Sequence, residues 1–428
     1  AEADARQAAL AHRGAAVVHL RVGDYAQGEA HALAMREHAD SAGDRAEADR
    51  LRAAAWVHRG RTAEAESLLL AATPAALTEP AAADVGVRIL SDLAELYHRA
   101  NRTADALARL AEARHLLAPG DRRGRLGADM LEGKIAHTEG RFADAAALYT
   151  RAYEQAEAVG SLSKRARAAN NLGNAARDLG DYDAAQRHFE RALEIWERTG
   201  DTECIAGAHN NLGNLAMSRG HFGEATRHHE RSLEACRQIG NVHGAALAQA
   251  NLAILAVEQD DPGTALPFAH GALETLGASG NALLRGLARV VLGEAQLAAG
   301  DVATARQAFE QVLREHDEAR HPLAAAGAWR GLGRVALAEG GPADALLWLD
   351  RACAAFEGLQ RAQEAARTAL YRAEALWRSG EMGRARSELE GALARFITMR
   401  ADRDVARTAR LLQRLSAEPA PAPRPDLS

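Results

Sequence analysis

Lysine is almost missing from this chain: among its 52 basic residues only Lys134 and Lys164 are lysines, and the rest are arginines. With the abundance of Ala and Gly, that bias points to a GC-rich bacterial genome. Aromatic residues make up only 4% of the 428 positions. β-Branched residues are also sparse, so the composition is that of helices and there is little from which to build sheets. Three cysteines, Cys204, Cys236 and Cys353, show no metal-ligand spacing. They read as small buried residues in a reducing, cytoplasmic compartment. No run of about 18 apolar residues is present to cross a membrane, and no signal peptide is visible. An excess of charge of one sign is missing too. A net charge of -6, with acids and bases interspersed, argues against a nucleic-acid stripe and against an anchor for anionic lipid. With no nucleophile elbow, Walker loop or Gly-rich strand-to-helix turn, the sequence predicts no catalytic residues and no cofactor.

What the chain has is a repeat. Asn170-Asn171-Leu172-Gly173-Asn174 leads to Gly180-Asp181-Tyr182, then Ala185, Phe189 and Ala192; a step of 40 later, Asn210-Asn211-Leu212-Gly213-Asn214 leads to Gly220-His221-Phe222 and Ala225. An α-helix turns by about 100° per residue, which puts Asn170, Asn171 and Asn174 on one face and Ala169, Leu172 and Ala176 on the other. Gly180 is placed to end this first helix in the left-handed conformation, and Asp181 to cap a second helix carrying Ala185, Phe189 and Ala192.

The residue ending each first helix recurs as Gly23, Gly60, Asn101, Gly140, Gly180, Gly220, Asp260, Gly300, Gly340 and Gly380. Five positions later comes an alanine in nine units, from Ala65 and Ala106 to Ala345 and Ala385, as close helix approach requires. A second comb, Gly120, Gly160, Gly200, Gly240 and Gly280, marks the turns between units. The pattern predicts irregular units over 1–80, a regular array over 81–400, a capping helix over 401–416 and a disordered Pro-rich tail over 417–428. Thr73-Pro74 and Glu79-Pro80 are expected to break the helix there, and Pro267 to kink a later one. The chain starts at Ala1 inside a helical pattern with no polar cap before it. An upstream domain or tag is therefore expected to have been removed.

Leu172-Gly173, Gly180, Ala185, Phe189 and Ala192, and Trp329 ahead of Leu332-Gly333, resemble the tetratricopeptide signature. The long Asn-rich unit is similar to those of Pins-type adaptors, kinesin light chains and the sensor halves of bacterial regulators. The resemblance implies an all-α, right-handed superhelical solenoid of about ten repeats whose first helices line a concave groove. Carried onto this chain, the groove positions are Asn170, Asn171, Asn174, Arg177 and Asp178; Asn210, Asn211, Asn214 and Met217; and Asn251, Ile254 and Val257. Further along, the same face holds Val290, Val291, Glu294 and Leu297, then Arg330, Arg334 and Leu337, then Tyr371, Glu374 and Trp377.

In the Pins-like relatives such asparagines grip the main chain of an extended peptide, and a carboxamide is suited to that because it both donates and accepts. The expected partner is therefore a protein or extended peptide, with no nucleic acid or membrane, and the chain is expected to be the sensor or adaptor arm of a larger bacterial signalling protein. The alternative is an autoinhibitory or self-associating scaffold whose groove holds its own chain. Two further choices stay open at this level. The asparagines either meet a ligand or tie one first helix to the next. Arg330 and Arg334 either pin an anion or are simply solvated. Histidines 188, 221, 228 and 229 read as exposed second-helix residues, with no zinc site.

Overall fold

The computed structural model describes residues 2–78, 82–118, 120–277, 281–315 and 321–417. Those residues form helices, with no strand among them, and the chain divides into two compact units, Ala1–Ala175 and Ala176–Ser428. The first unit holds α1 (Glu2–Arg21), α2 (Tyr25–Glu37), α3 (Ala42–His58), α4 (Thr62–Thr78), α5 (Ala83–Arg99), α6 (Thr103–Leu116), α7 (Arg122–Thr138), α8 (Phe142–Ala158) and most of α9 (Leu162–Asp178). The second holds α10 (Tyr182–Thr199), α11 (Thr202–Ser218), α12 (Phe222–Gln238), α13 (Val242–Glu258), α14 (Pro262–Leu276) and α15 (Ala282–Ala298). It continues with α16 (Val302–Glu315), α17 (Pro322–Glu339), α18 (Pro342–Gly358), α19 (Ala362–Arg378), α20 (Met382–Thr398) and α21 (Asp402–Ala417).

The corners are set locally. Gly180 and Gly220 both have a φ of 78°, and Asn101 and Asp260 stand in the same left-handed conformation at 59°. After the corners at Gly180 and Asp260 an aspartate takes up a free helical N–H. Asp181 Oδ1 accepts from the Ala184 amide at 3.0 Å, and Asp261 does the same for Thr264 at 3.1 Å.

Packing explains the two most regular columns of the repeat. The alanines at 65, 106, 145, 185, 225, 265, 305, 345 and 385 are all 0% exposed, as expected where two helix axes come closest. A glycine at the same point of several first helices makes room for a side chain from the following helix. A Cβ on Gly133 would lie 2.6 Å from Tyr149, one on Gly213 2.6 Å from His229, and one on Gly293 2.6 Å from Phe309. Ring and notch thus hold α7 on α8, α11 on α12 and α15 on α16.

Odd helices also touch the next odd one, from α1 through α7 in the first unit and from α11 through α21 in the second. The odd helices form the inner wall of each curve, where neighbours crowd together. At the end, α21 takes the slot of another odd helix and packs on α19, burying Leu415 and half-burying Val405, Leu411 and Leu412.

One expectation about proline is corrected. Pro74 does not end a helix, because α4 runs through it. Pro74 is on the exposed side of α4, where the carbonyl it leaves unbonded is open to water. Pro267, expected to kink its helix, does lie inside one, α14. Glu79-Pro80, Gly280 and the tail from 418 onward fall outside the described residues.

Candidate functional site

The inner wall of the second unit surrounds a cavity of about 210 Å³. One flank is apolar, made by Met217 of α11, Ile254 and Val257 of α13, and Val290 and Val291 of α15. The other is charged, and most of its groups satisfy one another. Arg330 of α17 bridges Glu294 of α15 and Glu364 of α19, and Arg334 reaches Glu294 at 2.7 Å. Arg367 of α19 meets Asp404 of α21 at 3.0 Å and Glu364 at 3.5 Å. Burial alone would raise the Glu294 carboxyl, but Arg334 and Arg330 outweigh it and hold the group below the ordinary carboxylate range.

The cavity is covered by the end of the chain. Arg403 of α21 pairs with Glu258 of α13, and its guanidinium stands 5.0 Å from the centre of the Phe222 ring. In the turn just before, the Met399 carbonyl accepts from Tyr182 Oη and Arg400 donates to the Gly180 carbonyl, both at 3.5 Å. Arg407, one turn beyond Arg403, lines the cavity and donates to Tyr371 Oη at 3.2 Å.

The residues named from sequence fall into three groups. Ile254, Val257, Val290, Val291, Glu294, Arg330 and Tyr371 come together around this cavity. Arg330 and Arg334 are not solvated, since each is tied to Glu294. The asparagines divide. Asn251 is buried and donates to Asn210 Oδ1 at 2.8 Å, joining α11 to α13. Asn211 and Asn170 also have partners within the fold. Asn214, Asn171 and Asn174 are half-buried, and their amides make no hydrogen bond among the described residues. Arg177 is paired with Asp178 at 3.0 Å.

Sequence reasoning missed Glu258, Glu364, Arg367 and Arg407. The first three lie on the expected face, at one- and two-turn offsets from Ile254 and Tyr371, so their spacing was a usable signal. Arg407 had none, because α21 reads as an apolar cover.

Of the four histidines expected to be exposed only His221 is, while His188 and His228 are half-buried. His229 is not exposed but 0% accessible, in the slot that holds Phe189 and Phe309 in other units, and neither ring nitrogen has a partner. Burial, then the neighbouring His228, lowers its pKa to about 4. His209 on α11 meets His228, Nδ1 to Nδ1, at 3.0 Å. Among the described residues no group of three or more His, Cys, Asp or Glu is placed to hold a metal ion. Cys236 and Cys353 are buried and Cys204 is half-buried, and none of the three is in a disulfide.

Tetratricopeptide repeat models match residues 46–71, 87–121, 128–203, 204–277 and 290–359. The chain belongs to the tetratricopeptide repeat family. No curated protein matches it in sequence. Among solved structures, a Rap protein complexed with Competence and Sporulation Factor is similar, with a TM-score of 0.55, 14% identity, and coverage of 96% of this chain and 98% of that one. The apo form of the quorum sensor NprR from B. thuringiensis gives 0.54 at 13% identity, covering 78% and 88%. Aspartyl phosphate phosphatase F from Bacillus subtilis gives 0.54 at 10% identity, covering 94% of each chain. At these identities the likeness is one of fold. Tetratricopeptide solenoids present a concave surface, and it is on that surface of the second unit that the cavity lies.

Proposed function

We propose that this chain is a protein- or peptide-recognition module that takes an extended segment onto the inner wall of its second unit. Asn214, with Asn210 and Asn211 beside it, meets the segment's main chain, and the wall of Met217, Ile254, Val257 and Val291 takes an apolar side chain. The observation that carries the reading is a concave cavity with one methyl-rich flank, next to an amide, Asn214, that the fold does not use. Asn is a mediocre helix former, and a merely solvated face would more often carry Glu or Arg. Each main-chain bond to an amide contributes about 0.5–1.5 kcal/mol, so a few of them together with one buried side chain give roughly micromolar capture after ordering costs. Structural relatives add support in kind: one was solved with a factor bound and another is called a quorum sensor. In the same reading the chain is a cytoplasmic sensor or adaptor arm of a bacterial signalling protein, and Asn170, Asn171, Asn174, Arg177 and Asn251 belong to its amide-rich face.

The test is a displayed random-peptide library panned on the whole chain, with the enriched peptides then measured against Asn214→Ala/Val291→Glu. The double variant should keep its melting temperature and lose the peptides. Equal binding to both proteins would remove the inner wall as the site. A second reading has its own observation, the closure of α21 onto Glu258 and Phe222, which is self-capture of the chain by its own groove. If it holds, Arg403→Ala should bind the enriched peptides more tightly than the parent, with no change in mass by light scattering.

A further inference from the structure

Three arginines, Arg330, Arg367 and Arg407, and three glutamates, Glu258, Glu294 and Glu364, line the charged flank of the cavity, and one of the arginines is placed unlike the others. Arg330 and Arg367, like Arg334 and Arg403 beside them, each have a carboxylate within 4.0 Å. Arg407 has none among the described residues. Its named contacts are Tyr371 Oη at 3.2 Å and the Tyr371 ring, whose centroid is 5.4 Å from the guanidinium carbon. Arg334 stands over the same ring at 4.8 Å. Because Tyr371 Oη accepts from Arg407, its own proton is available to donate. A half-buried cation and a hydroxyl donor therefore meet at one end of a cavity whose other flank is methyl groups. Glu258 and Asp404 act on Arg407 only from beyond salt-bridge distance, so the guanidinium keeps N–H groups that no carboxylate takes up and that an anion in the cavity can.

We infer that the cavity is a site for a carboxylate carried on a short branched apolar body, the carboxylate on Arg407 and Tyr371 and the body against Val257, Val290 and Val291. The size agrees: a dry cavity of about 150 Å³ accommodates benzene, and this one is about 210 Å³, enough for one large side chain with its terminal carboxylate. A planar carboxylate also suits a guanidinium better than a halide would, since it takes two parallel N–H bonds. The inference rests on the capture reading only for the source of the carboxylate, either a small free acid or the C-terminal residue of a peptide.

The test uses the full chain and four probes in calorimetric titrations: 4-methylpentanoate, its primary amide, a heptapeptide ending in leucine with a free carboxylate, and the same peptide amidated. The free acids should bind and their amides should bind at least about tenfold more weakly. Arg407→Met should lose the free acids by a similar factor, whereas Arg410→Met, an exposed arginine on the same helix, should not. Should Arg407→Met fail to fold, Tyr371→Phe takes its place, removing only the hydroxyl and weakening the free acids severalfold. Binding of the small acid alone supports the site and counts against peptide capture; binding of the free-acid peptide supports both. Amides that bind as well as acids, or acids indifferent to both substitutions, would overturn the carboxylate site and leave peptide capture standing. No binding of either acid would overturn it too.

Discussion

Alanine in place of Gly293 should do the opposite of what alanine does in most helices. In an exposed helix interior Gly→Ala is favourable by about 0.5–1 kcal/mol, because the backbone loses less freedom on folding. Gly293, in α15, lies directly over the Phe309 ring, and an added Cβ would come within 2.6 Å of Cε1, 2.7 Å of Cζ and 3.0 Å of Cδ1. The ring has nowhere to go. Gly331 of α17 presses on the same edge, where its own Cβ would lie 2.3 Å from Cε1, and Phe309 is 0% exposed. Overpacking of this kind costs about 1–3 kcal/mol, and a ring clamped between two notches belongs near the upper end, so after the helix gain Gly293→Ala should destabilise by roughly 1.5–2.5 kcal/mol net. Gly207 on α11 has nothing within 4 Å of its added Cβ and is the matched control, expected to stabilise by about 0.5–1 kcal/mol. Urea denaturation followed by circular dichroism reads both midpoints. In a Phe309→Leu background, where the ring edge is gone, the Gly293→Ala penalty should shrink by at least about 1 kcal/mol. If Gly293→Ala raises the midpoint as Gly207→Ala does, the notch is not filled as described.

His229→Phe should stabilise the protein by about 1–2 kcal/mol at neutral pH, because the buried ring nitrogens lack partners and the slot accepts phenylalanine in neighbouring repeats. The parent should also weaken in acid. His229 titrates near 4 when folded and near its ordinary 6.5 when unfolded, so its share of stability is complete above 6.5 and falls, by up to about 3 kcal/mol, as the pH drops toward 4. Thermal melts across that window should show a shallower slope for His229→Phe; an identical slope would mean the ring is not buried. Asp404, only 3% exposed, accepts from Gln363 and Arg367, so Asp404→Ala should cost about 2–4 kcal/mol and release α21 to rapid hydrogen exchange ahead of global unfolding. Arg403→Ala should cost only about 0.5–1 kcal/mol, since the pair is partly wet, yet raise exchange both in α21 and in the α12–α13 region. Faster exchange in α21 alone would count against the closure.

Much of the fold was readable because it is written by short-range geometry. A corner that needs left-handed backbone selects Gly, Asn or Asp, and a close crossing selects Ala, so both columns show in the letters. Pro74 was misread for the same reason, since a local rule cannot tell that this side of α4 faces water. The inner wall was legible as a helical face, and Ile254, Val257, Val290, Val291, Glu294, Arg330 and Tyr371 of that face meet around one cavity. What stayed hidden was pairing. Whether Asn251 meets a ligand or Asn210, and whether Arg330 is free or held by Glu294 and Glu364, depends on distances between helices a repeat or more apart, and helical periodicity carries none of them. The lone position of Arg407 emerges only after every other charge has found its neighbour.

Tying α21 and its preceding turn back to Gly180, Tyr182 and Glu258 changes how the second unit can come apart. A rod of stacked repeats frays from its tips, each loosened repeat leaving the next exposed. A hoop has no tip: the last repeats cannot peel away until the clasp to the first ones parts, so damage anywhere along the curve is shared by all of it, and whatever opens the clasp sets the whole circumference free at once.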